Sequence, residues 1–341
     1  MKKANLLILF SAISIIISIS SCKNNSLKDR TIITDHIQYD VLIDNPDAGH
    51  DWWRQNIEVS KHDKLINTII RTALSGNVKI YDINNNPITV EQLKKSFITI
   101  DSVTFQRTKP PYEYFDTIIE KKLDIIREIN KIRFNEKWYI NKKSFQTIKK
   151  VTAICPMIND RPLFWIKFDN NTTGKSKKTL ITERIQYNVF IKNLDTTTND
   201  WWINNISSPK RKAFVDTLIS AVLSQRIKAY DYSNDQLSLK DVNNILTLMT
   251  DSITLQSTKP PYECYDTVIV QQINTKDIIR VKFVEKWYID KKTLEIEKDV
   301  LGIALSFPSY NDGRLMGYRV LFWIYFDKKY LINLKNQKFL Y

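Results

Sequence analysis

Glycine and histidine are scarce in this chain of 341 residues, with 6 and 3 copies respectively. The glycines Gly49, Gly76, Gly174, Gly302, Gly313 and Gly317 never cluster. Phosphate-binding loops, dinucleotide fingerprints and nucleophile elbows all require clustered glycines, because only Gly gives the backbone the tight turns and close approach they need. Nucleotide chemistry of those kinds is therefore not expected. His50 stands beside Asp47 and Asp51, and His62 precedes Asp63, but with His36 they match no stereotyped ligand spacing, so neither a metal nor a cofactor is expected. Long apolar runs are missing beyond the first 21 residues. Together with 43% hydrophobic and 26% charged residues, this excludes a multi-span membrane protein and a disordered chain.

The first 21 residues are different. Lys2 and Lys3 precede an apolar, Ser-diluted stretch over 6–19, too short to span a bilayer and typical of a secretory signal. Ile19, Ser20 and Ser21 then lead into Cys22, an order that resembles the lipobox at which a lipoprotein peptidase cuts before a diacylated cysteine. Lipidation of Cys22 is expected, giving a chain anchored to a membrane and not spanning it; ordinary cleavage beside an accidental cysteine is the alternative. The formal net charge is +14, spread over both halves with no basic tail. An exported protein does not normally meet nucleic acid, so none is expected as a partner. The lysines suit anionic envelope surfaces or acidic partners, or else serve solubility alone.

What organises the chain is an internal duplication. Asp51-Trp52-Trp53 recurs as Asp200-Trp201-Trp202, and TIIRTALSGNVKIYD over 68–82 returns as TLISAVLSQRIKAYD over 217–231. TKPPYEYFDT over 108–117 becomes TKPPYECYDT over 258–267, EKWYINKK over 136–143 becomes EKWYIDKK over 285–292, and LFWIKFD over 163–169 becomes LFWIYFD over 321–327. All 8 tryptophans fall into matched pairs. The expected organisation is a signal peptide at 1–21, a lipidated tether at 22–30, a first domain at 31–169, a polar linker at 170–179, a second domain at 180–327 and a tail at 328–341. The length allows two modest cores.

Within each copy the pattern is mixed. β-Branched and aromatic residues predict an opening strand over 31–43 and over 181–191. Leu65, Ile66, Ile69, Ile70, Ala73 and Leu74 keep helical spacing until Gly76, as do Phe214, Leu218, Ile219, Val222 and Leu223 in the second copy. A short strand over 78–81 and a second helix over 90–97, capped by Thr89, follow. Period-2 patterns over 131–140, 145–155 and 163–168, repeated over 281–289, 294–305 and 320–326, predict a three-stranded antiparallel meander. The expected fold class is α+β: two homologous domains, each an antiparallel β-meander packed with one long and one short helix.

Candidate site residues are few. Glu113 with Asp116, Glu263 with Asp266, and Asp101 with Asp251 are carboxylates near Pro-Pro-Tyr loops, but no nucleophile or oxyanion donor accompanies them, and turn formation explains them as well. Cys155 aligns with Ala304 and Cys264 with Tyr114, so neither thiol has a counterpart, which points to packing. No catalytic residue is assigned. The aromatics carry more. Trp138-Tyr139 and Phe164-Trp165 lie on successive strands, where neighbours face opposite ways. Either the sheet is packed on both faces, or outward aromatics such as Tyr139, Tyr288, Phe164 and Trp323 anchor a partner. Trp52, Trp53, Trp201 and Trp202, in loops, are the best candidates for a contact surface.

The order of these motifs, a helix ending in ALSGNVKIYD, then EKWYINKK, then Ala153-Ile154-Cys155-Pro156, then PLFWIKF, resembles the gliding motility protein family GldN and its secretion counterpart PorN. The second copy repeats the order with Ala304 in place of the cysteine. The resemblance implies a non-enzymatic scaffold of the type IX secretion and gliding machinery. It also implies a GldK- or PorK-like lipoprotein or other secretion-ring subunits as partners. With Cys22 lipidated, the expected location is the outer membrane, facing the periplasm. The alternative is an envelope-binding module that recognises peptidoglycan or an acidic glycan through lysines and exposed aromatics.

Overall fold

The computed structural model describes residues 29–44, 57–168, 178–192, 206–311 and 314–337. The first repeat runs β1 (Arg30–Leu42), α1 (Val59–Leu74), β2 (Ile80–Tyr81), α2 (Val90–Ser96), β3 (Ile98–Gln106), β4 (Tyr114–Lys122), α3 (Ile125–Glu128), β5 (Lys131–Asn141), β6 (Thr147–Ile158), β7 (Arg161–Pro162) and β8 (Trp165–Lys167). The second runs β9 (Lys178–Phe190), α4 (Ser208–Leu223), α5 (Leu239–Leu246), β10 (Thr247–Gln256), β11 (Cys264–Gln272), β12 (Arg280–Asp290), β13 (Ile296–Asn311), β14 (Arg314–Tyr325) and α6 (Lys328–Gln337). The chain is mixed α and β, with antiparallel sheets ordered β1-β5-β6-β8-β2 and β14-β13-β12-β9.

The helices form where the apolar spacing places them. Leu65, Ile66, Ile69, Ile70 and Ala73 are the buried stripe of α1, and Gly76 at φ 74° takes the left-handed turn after the helix end. In the second repeat Gln225, at φ 57°, occupies the corresponding turn after α4, where a side chain is disfavoured. Thr89 caps α2 in a reciprocal box with Gln92, and Ser238 with Asp241 does the same for α5.

Four features depart from the expectations. First, the stretch around each Pro-Pro pair is not a loop between helix and meander but the tip of a two-stranded ribbon, β3–β4 or β10–β11. Second, β5–β6 and β12–β13 each carry a register shift, between Asn135 and Glu136 and between Val284 and Glu285. The extra residue reverses the alternation, so Thr147, Lys149 and Val151 belong to one set of buried positions, and Ala153, Cys155 and Met157 gather with Trp165 in a separate small cluster. Third, residues 328–337 of the expected tail form α6, whose Tyr330 and Leu331 pack against Tyr230, Leu301, Trp323 and Tyr325. That cover is driven by apolar sheet surface that would otherwise face water.

Fourth, although the length allows two modest cores, the two repeats share one. One continuous cluster of buried apolar residues runs through both repeats, from Ile37, Phe134 and Trp138 to Phe283, Trp287 and Ile303. The pairing is crossed. Strands β6 and β13 face each other, α1 lies against β9, and α4 lies against β1. Gln146 Nε2 donates to the Val300 carbonyl at 2.9 Å, and the Arg226 guanidinium lies 4.7 Å from the centroid of the Phe145 ring. Each sheet has an apolar inner face that its own helices do not fully cover, and the other repeat completes it.

Candidate interaction surfaces

The centre of the molecule holds a charged cluster that the sequence reading missed. In β5, alternation turns Phe134, Glu136 and Trp138 to the same side, and all three are fully buried. Phe283, Glu285 and Trp287 repeat this in β12. The Tyr39 hydroxyl donates to Glu136 Oε2 at 2.6 Å, and Trp138 Nε1 donates to the same oxygen at 2.6 Å. Tyr187 and Trp287 donate to Glu285 Oε2 at 2.5 and 2.7 Å. The two tyrosine hydroxyls lie 3.3 Å apart.

The counter-charges come from the opposite repeat. Lys298 Nζ sits 2.7 Å from Glu136 Oε1, and Lys149 Nζ sits 2.7 Å from Glu285 Oε1, with all four side chains 0% exposed. Each ammonium also lies over aromatic faces: Lys149 is 3.1 Å from the Phe283 centroid and Lys298 is 3.2 Å from that of Phe134. Burial drives the Lys149 amine down to about 8, although Glu285 and Glu136 pull it upward. Burial pushes the Glu136 carboxyl up, but Lys298, Lys149 and the Tyr39 hydroxyl outweigh it and hold the group below its ordinary value. Burial and the neighbouring carboxylates raise Tyr39 and Tyr187, so both phenols remain donors. Two Glu–Lys pairs are thus enclosed side by side, with none of the four side chains exposed. The arrangement pins one repeat to the other.

The remaining candidates separate clearly. Cys22, His50, Trp52, Trp53, Trp201 and Trp202 lie outside the described residues. Tyr139 and Tyr288 occupy equivalent, half-buried positions beside the fully buried Trp138 and Trp287. Phe164 and Trp323, considered as outward anchors, are instead buried at 0% and 7% exposure. Phe164 belongs to the main core and Trp323 stacks on Tyr325 at 5.6 Å, the arrangement of a sheet packed on both faces. His62 is buried, its Nε2 2.9 Å from the Ile129 carbonyl and its Nδ1 3.1 Å from Asp63. Arg211, its counterpart, hydrogen-bonds the Ile206 carbonyl at 3.2 Å, so both positions tie the helix start to a neighbouring loop. Cys155 is buried, its thiol pushed up to about 12 chiefly by burial, while Cys264 is exposed. Glu113 and Glu263 are exposed, and Asp266 accepts from the Thr254 hydroxyl at 2.6 Å. The side chains of Asp101, Asp116 and Asp251 lie outside the described ones.

The ribbons are the exposed counterpart of the core. Among the described residues, β3–β4 and β10–β11 pair within themselves and otherwise meet chiefly the helix that precedes them. Phe105, Tyr112, Tyr114 and Phe115 are exposed on the first, and Tyr262, Tyr265 and Val268 on the second. Both tips have the same backbone: the Pro110–Pro111 and Pro260–Pro261 peptides are cis, and Tyr112 and Tyr262 stand at φ 36° and 51°. The recurrence of Thr-Lys-Pro-Pro-Tyr-Glu was the available signal for them. A two-stranded ribbon is marginal alone in water, and both of these carry exposed aromatic side chains.

The family model described as Gliding motility associated protein GldN matches the chain twice, over residues 53–188 and 187–337. The chain belongs to the GldN family. The two matches take in both long helices, both ribbons, both meanders and every residue of the buried charge cluster except Tyr39. The Glu-Lys-Trp-Tyr-Ile motif behind the resemblance supplies Glu136 and Trp138, and Glu285 and Trp287, to that cluster. No curated protein and no solved structure matches the chain. None of the described helices is long and apolar enough to cross a membrane, and the described residues hold no group of three or more metal-ligating side chains.

Proposed function

We propose that this GldN-family chain is a non-enzymatic scaffold of the gliding motility and type IX secretion machinery. In this reading a lipid on Cys22 holds it at the outer membrane, facing the periplasm, and its partners are a GldK- or PorK-like lipoprotein or other secretion-ring subunits. The observation that carries it is the display of two like aromatic ribbon tips on one body whose halves are locked together by buried charge. Two similar contact surfaces at fixed separation raise the effective concentration of the second contact once the first is made. Trp52, Trp53, Trp201, Trp202, Tyr139 and Tyr288 extend the proposed contact set.

In-cell crosslinking of a tagged chain, with mass spectrometry of what is recovered from the outer-membrane fraction, tests the reading. Secretion-ring proteins are expected with the native chain and are expected to fall at least tenfold with Tyr112→Ala and Tyr262→Ala combined. Recovery of none with the native chain would sink the scaffold reading. Cys22→Ala is expected to move the protein out of the membrane fraction while leaving it folded; unchanged fractionation without a metabolic lipid label would remove the anchor.

A further inference from the structure

A cleft of about 340 Å³ opens where α1 of the first repeat meets β9 and β12 of the second. Its apolar lining is the exposed Leu180 together with the buried Leu65, Ile181 and Ile289. It is also lined by Lys61, Lys64, Arg71 and Lys291, and by no carboxylate among the described residues. Lys61 is paired with Glu58 at 3.1 Å; among the described residues Lys64, Arg71 and Lys291 form no ion pair. Positions 61, 64, 68 and 71 are spaced three, four and three apart, so three cations share one stripe of α1 over about 15 Å. Like charges on one helical face repel, and among the described residues only Lys61 of this stripe has an acidic partner.

The duplication supplies an internal comparison. At the corresponding positions of α4, Lys64 is replaced by Ala213, Arg71 by Ser220 and Asn67 by Asp216. There Lys210 is paired with Asp35 and Lys212 with Asp216. The two helices thus share a packing role while α4 has Ala213, Asp216 and Ser220 where α1 has Lys64, Asn67 and Arg71; away from the cleft they differ also at Asp63, which corresponds to Lys212. The cations of the first cleft are not needed to build the helix.

We propose that the α1–β9 cleft binds an amphiphile bearing a phosphate group, its phosphate between Lys64, Arg71 and Lys291 and its apolar part on Leu65, Leu180 and Ile289. The volume falls in the range of small-ligand sites, and the mixture of an apolar floor with a few charged groups is the usual composition of such sites. Arg and Lys donors strengthen against a phosphate because each bond is charge-assisted. The inference is independent of the scaffold reading, since it rests on the cleft alone.

Titrating the full chain with monomeric dihexanoyl phosphatidylglycerol, dihexanoyl phosphatidylcholine and inorganic phosphate, read by calorimetry, tests it. The phosphatidylglycerol is expected to bind at least tenfold more tightly than either comparator. Lys64→Ala with Arg71→Ser, which copies the side chains that α4 already carries, is expected to weaken it at least tenfold. Lys142→Ala with Lys210→Ala, the counterparts of Lys291 and Lys61 in the other repeat, is expected to change it less than twofold. Equal weakening by both double variants, undiminished binding by the first, or no binding at all would overturn the proposal; so would equal affinity for inorganic phosphate. Sedimentation with phosphatidylglycerol vesicles then separates the sources. Loss of vesicle binding in the first double variant assigns a lipid headgroup, and retention beside lost monomer binding assigns a soluble phosphate ester.

Discussion

The two repeats are alike where they face each other and differ on the outer faces of their main sheets. At the centre, Tyr39, Phe134, Glu136, Trp138 and Lys149 meet Tyr187, Phe283, Glu285, Trp287 and Lys298, the same residue types in the same roles. On the outer faces, Cys155 and Lys167 of the first repeat correspond to Ala304 and Tyr325 of the second, where α6 lies over the sheet. A contact related by a two-fold must complement itself, so a change in one half needs a matching change in the other. Surfaces away from that axis face no such demand. The second repeat carries there an aromatic sheet face with a covering helix.

The comparison is tested most strongly at the axis. Glu136→Gln leaves Lys298 buried without its counter-charge and is expected to cost about 3–5 kcal/mol, as is Glu285→Gln for Lys149; urea denaturation measures both. Similar losses support the symmetry, and a loss confined to one side would break it. The same substitution changes the acid limb. Because the folded Glu136 carboxyl lies below its ordinary value of 4.5, its contribution is complete above that pH and is lost as pH falls through the lowered value. Stability measured from pH 6 downward should therefore fall less steeply in Glu136→Gln than in the native chain.

Next in size is an outer-face difference. A Cβ on Gly302 would meet Tyr325 Cδ1 at 2.7 Å, whereas the equivalent Ala153 pairs with Lys167. Gly302→Ala should cost about 1–3 kcal/mol, and less once Tyr325→Lys has introduced the first repeat's residue. Equal costs in both backgrounds would show that Tyr325 does not impose the glycine. The smallest effect lies at the helix ends. Gln225→Gly, giving α4 the turn residue that α1 has in Gly76, should raise the thermal midpoint, with a gain of about 1 kcal/mol. No gain would mean that other contacts already relieve the left-handed conformation.

Much of this was legible in the residues. Helical spacing placed α1 and α4 to within a few residues, Thr89 marked the start of α2, and alternation marked the strands of both meanders. The family was legible for the same reason, because its motifs are short runs whose order survives duplication. The β3–β4 and β10–β11 ribbons were not, because the Pro-Pro pair reads as a break while the flanking Thr, Tyr and Ile residues fit either strand or loop. Nor were the bulges, since one added residue in β6 or β13 is invisible until a partner strand fixes the register.

By itself, then, the sequence determined the duplication, the local elements and the family, because each is written in short runs of adjacent residues that can be recognised without knowing what they touch. The tertiary structure alone decided that the two copies share one core and that Lys149 and Lys298 are buried. A lysine between Thr147 and Val151, or between Ile296 and Val300, looks like a solvated strand residue. What makes its burial tolerable is a carboxylate more than a hundred positions away, Glu285 or Glu136, and that distance is closed only when the repeats pack face to face.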